Sequence, residues 1–306
     1  MGIVRVEELR FGVEDVAECV RFFDDFGLER VEDGAAGATF RTPAGQRLHL
    51  RRVDDPELPA AVEPGSTLRE LVWGVHDAAD LDELGAAVGS DRDVVAGADG
   101  VLRARDVAGF AIGLTVADPV VPFSEPRREV NMTGEVHRWN EPLSNYHRAR
   151  PIRVCHVALN VREQGWRDAV AFYTERLGFR VTDQLLDMGT FMQAPADLDQ
   201  HTFLLAHRPN RVGLNHVAYE VRNVDEVIEG GNHMVACGWR EARRLGRHTI
   251  GSNVFRFFHA PCGGRVEYAA DMDRVDDSYG PNVYEQRPPH HLWMLRSHGD
   301  REGEGA

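Results

Sequence analysis

A pattern of one strand, one helix and three strands recurs four times along the chain, and this repeat restricts the possible folds more than any other feature. The first copy begins with a strand over residues 3–13, ending Leu9-Arg10-Phe11-Gly12-Val13. A helix over residues 13–26 follows, with Val16, Cys19, Val20, Phe22, Phe23 and Phe26 mostly on one face and Gly27 as its stop. Short strands near residues 29–33, 37–42 and 46–53 complete the unit, and Pro43-Ala44-Gly45 turns between the last two. The second copy has a strand over residues 68–75 and a helix near residues 81–88. The third begins at Ile152 with a helix over residues 166–177, and the fourth runs from Val212 to near Ala270. Phe172-Tyr173-Thr174-Glu175-Arg176-Leu177-Gly178-Phe179 echoes Phe22-Phe23-Asp24-Asp25-Phe26-Gly27-Leu28, the earlier stretch being one residue shorter.

The valines closing the four first strands are Val13, Val75, Val161 and Val221, separated by 62, 86 and 60 residues. The longer middle interval is due to Pro119–Arg150, rich in Pro, Arg, Glu and Asn, as a linker between two double-module domains would be. The expected fold is α+β: four βαβββ modules paired into two domains, residues 1–120 and 151–275, with a linker over 121–150 and a tail over 276–306. The tail holds Pro288-Pro289 and an apolar patch, Leu292-Trp293-Met294-Leu295, suited to folding back over a domain, before a Gly/Glu-rich end expected to fray.

The repeat also compares positions. Five residues before each valine stand Glu8, Glu70, His156 and His216. Four residues after the last-turn glycines Gly45, Gly109 and Gly263 stand His49, Gly113 and Glu267. The second half therefore has a matched His, His and Glu on separate strands, and the first half has no matched set. Side chains alternate across a strand, so Val157, Leu159 and Val161 face one way and His156 the other, and His216 opposes Val217, Tyr219 and Val221 in the same manner. Two imidazoles and one carboxylate on a cupped sheet form a facial metal triad with open coordination positions. A single strand histidine is more often structural; two at equivalent repeat positions, with a Glu on the closing strand, favour a metal site. The expectation is a metal in the C-terminal domain only.

The net charge of −14 argues against nucleic-acid and anionic-membrane partners, which need a basic footprint. No stretch approaches the roughly 18 apolar residues of a membrane helix, and the start has no signal-like apolar core, so a cytoplasmic protein is expected. Cys19, Cys155, Cys237 and Cys262 are scattered, with no pair at zinc-site or redox spacing.

The second half resembles type I extradiol ring-cleaving dioxygenases of the vicinal oxygen chelate superfamily, and the four-module layout covers the whole chain. The most specific run is Gly246-Arg247-His248, then Phe257, then Ala260-Pro261-Cys262-Gly263 and Glu267. The resemblance implies an Fe(II) centre, with Mn(II) as the alternative, held by His156, His216 and Glu267. It implies His201 as the acid–base residue and His248 as a donor near a substrate hydroxyl. It further implies a catechol-type aromatic substrate, dioxygen as co-substrate and a homo-oligomer.

Three departures bear on the substrate and leave the triad intact: Phe257 stands where the family usually has Tyr, Arg256 where an apolar residue is usual, and Ile250 where some members have Asn. Arg243 and Arg244 lie shortly before the His248 motif. They read either as solvated loop charges or as a pair of substrate-binding candidates of which one anchors an acidic group on the substrate, because guanidinium grips carboxylate bidentately. His207, His233 and His259 read as solitary surface or structural residues, and His290-His291 as neighbours pointing apart in an extended chain. The acidic run Asp271, Asp273, Asp276 and Asp277 reads as a solvated loop. Two other functions are weighed. An isomerase or lyase on the same modules would draw ligands from both halves, for which Glu8 and Glu70 are the candidates. A non-catalytic binding member would typically lack a complete triad.

Overall fold

The structure is a computed structural model and describes residues 2–34, 36–119, 130–143 and 148–296. The first module is β1 (Ile3–Val13), α1 (Val16–Phe26), β2 (Glu29–Gly34), β3 (Gly37–Arg41) and β4 (Arg47–Arg52). The second is β5 (Thr67–Val75), α2 (Ala78–Gly89), β6 (Val95–Ala96), β7 (Leu102–Arg105) and β8 (Ala111–Val116). The third is β9 (Arg153–Arg162), α3 (Trp166–Ala171), β10 (Arg180–Leu185), β11 (Gly189–Gln193) and β12 (Phe203–Arg208). The fourth is β13 (Gly213–Glu220), α4 (Val224–Ala236), β14 (Glu241–His248), β15 (Val254–His259) and β16 (Arg265–Ala270). Two tail strands follow, β17 (Asn282–Tyr284) and β18 (His291–Met294).

The modules pair through their first strands. β1 runs antiparallel to β5 at the centre of an eight-stranded sheet ordered β2-β3-β4-β1-β5-β8-β7-β6. β9 runs antiparallel to β13 at the centre of a ten-stranded sheet ordered β17-β10-β11-β12-β9-β13-β16-β15-β14-β18. The α+β class and the four modules match the sequence reading. Residues 120–129 and 144–147, which make up part of the expected linker, and the tail beyond residue 296 lie outside the described residues.

Local chemistry sets the helix ends. Asp15 caps α1 by accepting from the Glu18 N–H, so the helix starts at Val16, after the position the apolar pattern suggested. Gly27 ends it at φ 100°, and a Cβ there would lie 2.1 Å from the Ala149 carbonyl oxygen. The expected third helix is α-helical only to Ala171; Phe172–Arg176 form a π-helical turn. A π turn accommodates one inserted residue. That insertion is the extra residue separating the third module's Phe-Tyr stretch from its first-module echo.

One apolar core runs between the halves. The Phe26 and Tyr268 rings stack at 4.0 Å, and the Tyr268 hydroxyl donates to the Phe26 carbonyl at 2.7 Å. Trp73 from β5 packs edge-on to Phe179 and Phe203. Buried Gln46 donates to the carbonyls of Val6 and Val154 and accepts from the Val154 N–H, so it joins the halves with its amide satisfied. With this side filled, the opposite face of the second sheet is left to carry polar groups.

Candidate metal centre

Strand register assembles the triad. β9, β13 and β16 are adjacent, with His156 opposite Ala218 and Ala218 in turn opposite Glu267, while His216 lies opposite Ala158. Directly paired residues project to the same face. The small Ala218 side chain therefore leaves room in which the other three meet. His156 Nε2 is 3.0 Å from His216 Nε2 and 3.2 Å from Glu267 Oε2, and His216 Nε2 is 3.5 Å from the same oxygen. All three residues are buried.

These atoms fit a divalent cation. Glu267 Oε2 is buried without a hydrogen-bond partner, an expensive state for a carboxylate oxygen unless something positive meets it. Burial pushes the Glu267 carboxyl up to about 8 despite the opposing Arg265 and Arg243 charges and the Asn253 hydrogen bond. Burial, then the charge of Arg153, lowers His156 to about 3, and burial with His156 nearby holds His216 well below the usual histidine range. Both imidazoles are neutral at pH 7 and have lone pairs to offer. His156, His216 and Glu267 are thus the residues able to hold a metal.

A surrounding polar shell fixes these side chains. Asn253 Nδ2 donates to Glu267 Oε1 at 3.0 Å. Asn215 Nδ2 donates to Asn160 Oδ1, so its own Oδ1 accepts from His216 Nδ1–H at 2.9 Å and from Arg265. The His216 proton is thereby held on Nδ1 and its Nε2 is free to ligate. Asn215 and Asn253 were missed in the sequence. Asn215 is signalled only by its place beside His216, and Asn253 by nothing in the local pattern.

His201 and His248 flank the triad and line a cavity with His156 and His216. The His201 ring is 4.4 Å from that of His156. Gln200 Nε2 donates to Thr182 and Asp183, so Gln200 Oε1 accepts from His201 Nδ1–H at 2.6 Å. The lone pair of His201 is consequently on Nε2. Burial, then His156, holds His201 well below its usual pKa. His248 stacks on Phe255 at 4.0 Å, with its Nε2 4.0 Å from Glu267 Oε1, and burial with His290 and His291 nearby depresses it too. Phe257, paired in register with Glu267, is on the cavity wall.

Arg243 lines the cavity, while Arg244 is exposed and lies outside the lining, because neighbours on β14 face opposite ways. One expectation fails here. His290 and His291 do not point apart: their rings approach to 2.7 Å between Nδ1 and Nε2, because His290 sits in a bend before β18 and not in the extended strand. His290, Arg287 and Pro289 then form part of the cavity wall. His207, read as solitary, is buried and stacked on Trp166 at 4.1 Å.

The sequence profile of the Glyoxalase/Bleomycin resistance protein/Dioxygenase superfamily matches residues 153–268, the segment that carries all three triad residues. Metapyrocatechase 2 of Cupriavidus necator is 35% identical over 277 residues, covering 88% of this chain and 82% of that protein. The chain belongs to the Glyoxalase/Bleomycin resistance protein/Dioxygenase superfamily. Among its members it stands with the extradiol ring-cleaving dioxygenases, as a metal-dependent oxidoreductase. A Mn(II)-bound glyoxalase from Novosphingobium aromaticivorans superposes with a TM-score of 0.71 at 25% identity, covering 94% of this chain and 89% of that one. The 2,3-dioxygenase LapB from Pseudomonas sp. KL28 shares the fold at a TM-score of 0.73 and 18% identity, covering 93% and 98% of the two chains.

The superfamily's repeated module makes the first sheet a direct contrast. Glu70, equivalent to His216, is buried and paired with Arg10 at 3.2 Å and Arg103 at 2.9 Å. Glu8, equivalent to His156, pairs with Arg10 at 2.8 Å and faces His49 at 3.5 Å. Burial acts to raise Glu8, but its hydrogen bonds to His49 and Arg10 outweigh this and hold it at about 2. Guanidinium groups thus neutralise these carboxylates.

Proposed function

We propose that this chain opens the ring of a catechol-type substrate with dioxygen at an Fe(II) centre held by His156, His216 and Glu267, and that the substrate carries an anionic substituent. The observation that carries the reading is the unpartnered Glu267 Oε2, facing two neutral imidazole nitrogens within 3.5 Å beside a cavity lined by His201. When bound, ferrous iron supplies an electron path between ring and dioxygen that spin-paired groups cannot.

The chain's own residues do the rest. His201 takes the substrate's second hydroxyl proton at Nε2, the nitrogen that Gln200 leaves free. His248 donates a hydrogen bond toward charge developing on oxygen. Phe257 closes one wall without a hydroxyl, which leaves proton handling to the two histidines. Arg243 and Arg265 lie over the Phe257 ring at 5.7 and 5.3 Å, and Arg208 and Arg287 also line the cavity. No Asp or Glu is among these lining residues, although the chain carries a net charge of −14. Burial, then Arg243, lowers Arg265 to about 10, and an anion would relieve this crowding of positive charge. Guanidinium recognition of a carboxylate supplies that anion with defined geometry. We also assign the two domains to residues 1–120 and 151–275, with the iron centre in the second.

The isomerase or lyase reading needs ligands from both halves, and Glu8 and Glu70 are already committed to Arg10 and Arg103. The test is anaerobic iron loading followed by oxygen uptake against catechols with and without a carboxylate. We expect a ring-opened, visibly absorbing product, fastest with a carboxylated catechol, and a KM about tenfold or more higher for that substrate in Arg243→Gln, matching loss of ~1.5–3 kcal/mol from a charged hydrogen bond. A broad panel without ring opening by iron-loaded protein would remove the dioxygenase reading. Equal rates with and without the carboxylate would remove only the anionic substituent.

A further inference from the structure

A second cluster of metal-ligating side chains lies where α1 of the first half meets α4 of the second. Asp25 stands in the last turn of α1, and His233 and Cys237 stand four residues apart at the C-terminal end of α4. Their ligand atoms all lie within 4.8 Å of one another. The sequence hid this group, because Asp25 is far from the other two in the chain and one His with one Cys carries no signal alone.

The geometry is that of a small tetrahedral cation. His233 Nε2 and Cys237 Sγ are 3.5 Å apart. Zinc bonds of about 2.0–2.1 Å to nitrogen and about 2.3 Å to sulfur, at a tetrahedral angle, require an edge of about 3.6 Å. Spacing of i, i+4 sets both side chains on one helix face. Trp239 Nε1–H donates to Asp25 Oδ2 at 2.9 Å, which orients the carboxylate and leaves Oδ1 to bind.

A separate observation points to a cation. Both helices end at the cluster, so the negative poles of two helices and their last carbonyls converge on it. α1 has no basic residue in its last turn, and α4 has only His233 itself. The facing charges are Asp25, Arg148 and Arg21, the last stacked over the Trp239 ring at 4.1 Å. Burial, then Asp25, keeps the Cys237 thiol protonated without a metal, while Arg148 and Arg21 favour the thiolate.

We propose that Asp25, His233 and Cys237 form a site for a borderline-soft divalent cation of the zinc type, separate from the triad, that ties α1 to α4 and so clamps the two halves together. Three protein ligands leave one tetrahedral position for water. Binding exchanges the S–H bond of Cys237 for a sulfur–metal bond and releases the thiol proton to solvent.

The test is zinc titration of the full chain in competition with a chromophoric chelator, together with cobalt substitution. Wild type should take two equivalents. The variant His156→Ala/His216→Ala should keep one, and its cobalt form should show sulfur-to-metal charge-transfer absorption, which no ligand of the triad can give. Cys237→Ser in the otherwise native chain should take one equivalent and lack that absorption. His233→Gln should weaken this site by about 100-fold or more, beyond the ~10–100-fold that outer-shell losses produce. One equivalent in the wild type, a sulfur band that survives Cys237→Ser, or unweakened binding in His233→Gln, which would mark a lone thiol, each overturns the proposal. Should the double variant not fold, Cys237→Ser against wild type decides the matter on stoichiometry and absorption alone.

Discussion

At the scale of single residues, hydrogen-bond direction assigns more than distance does. The Gln200 amide is committed through its nitrogen to Thr182 and Asp183, so its oxygen fixes the His201 proton on Nδ1. His201→Asn should therefore retain metal and bind catechol but lose about 10²–10⁴-fold in turnover, the range for a positioned acid–base group. Wild-type turnover in that variant would rule His201 out. Glu267 yields a second prediction, measurable without activity. Burial raises its metal-free pKa to about 8, so near pH 7 it carries a proton that a metal must displace. Metal binding at pH 7 should release close to one proton from this group, and apparent affinity should rise with pH up to about 8 and then level. Calorimetry in buffers of differing ionisation heat measures this directly; no buffer dependence at pH 7 would contradict the assignment.

At the scale of elements, register is what brings the site together. Ala218 on β13 stands between His156 on β9 and Glu267 on β16, and any larger side chain would enter the space where the ligands converge. Ala218→Leu should cost about 1–3 kcal/mol of stability by overpacking and, unlike a remote core change, should sharply reduce metal content. Full metal content in a folded Ala218→Leu protein would show that this gap is not needed. The sequence made the triad legible because a fourfold repeat places equivalent side chains at equal offsets. It made the modules legible for the same reason, down to the extra residue absorbed by the π-helical turn at Phe172–Arg176. The tail was less legible. β17 pairs with β10 and β18 with β14, at the two ends of the second sheet, across separations that no local pattern encodes. The apolar Leu292-Trp293-Met294-Leu295 patch signalled folding back, but not that Arg287 and His290 would become cavity wall. Of the adjacent Arg243 and Arg244 only one can be offered to the cavity, since neighbouring side chains on a strand face opposite ways. Deleting residues from Arg287 onward should leave metal content intact and raise KM for an acidic catechol, because it removes one guanidinium and one wall of the cavity. Unchanged KM would separate the tail from substrate binding.

At the scale of the whole molecule, polar side chains join the halves as well as the apolar core, and one of these contacts has a pH signature. Asp106 lies in the turn between β7 and β8 in the first half, and Tyr173 in the π-helical turn of the second. The Tyr173 hydroxyl donates to Asp106 Oδ2 at 2.8 Å, and the Phe110 N–H donates to Oδ1 at 2.9 Å. Burial nevertheless dominates and raises the Asp106 carboxyl from 3.8 to about 6, with those hydrogen bonds opposing. A raised acid binds its proton more tightly in the folded than in the unfolded protein. Its contribution to stability is full below about pH 4 and is lost as pH rises through about 6. The shift amounts to about 3 kcal/mol, at ~1.4 kcal/mol per pKa unit, and the group is only 5% exposed, so solvent screening takes little from it. Other carboxylates titrate in the same window, so the informative quantity is the difference between wild type and Asp106→Asn. The amide keeps the shape and cannot ionise. Relative to wild type, Asp106→Asn should gain about 2–3 kcal/mol between pH 4 and pH 7.5, seen as denaturation midpoints that converge or cross as pH rises. Parallel pH profiles for the two proteins would mean that Asp106 titrates as an ordinary carboxylate and that the joint between the halves holds no buried proton.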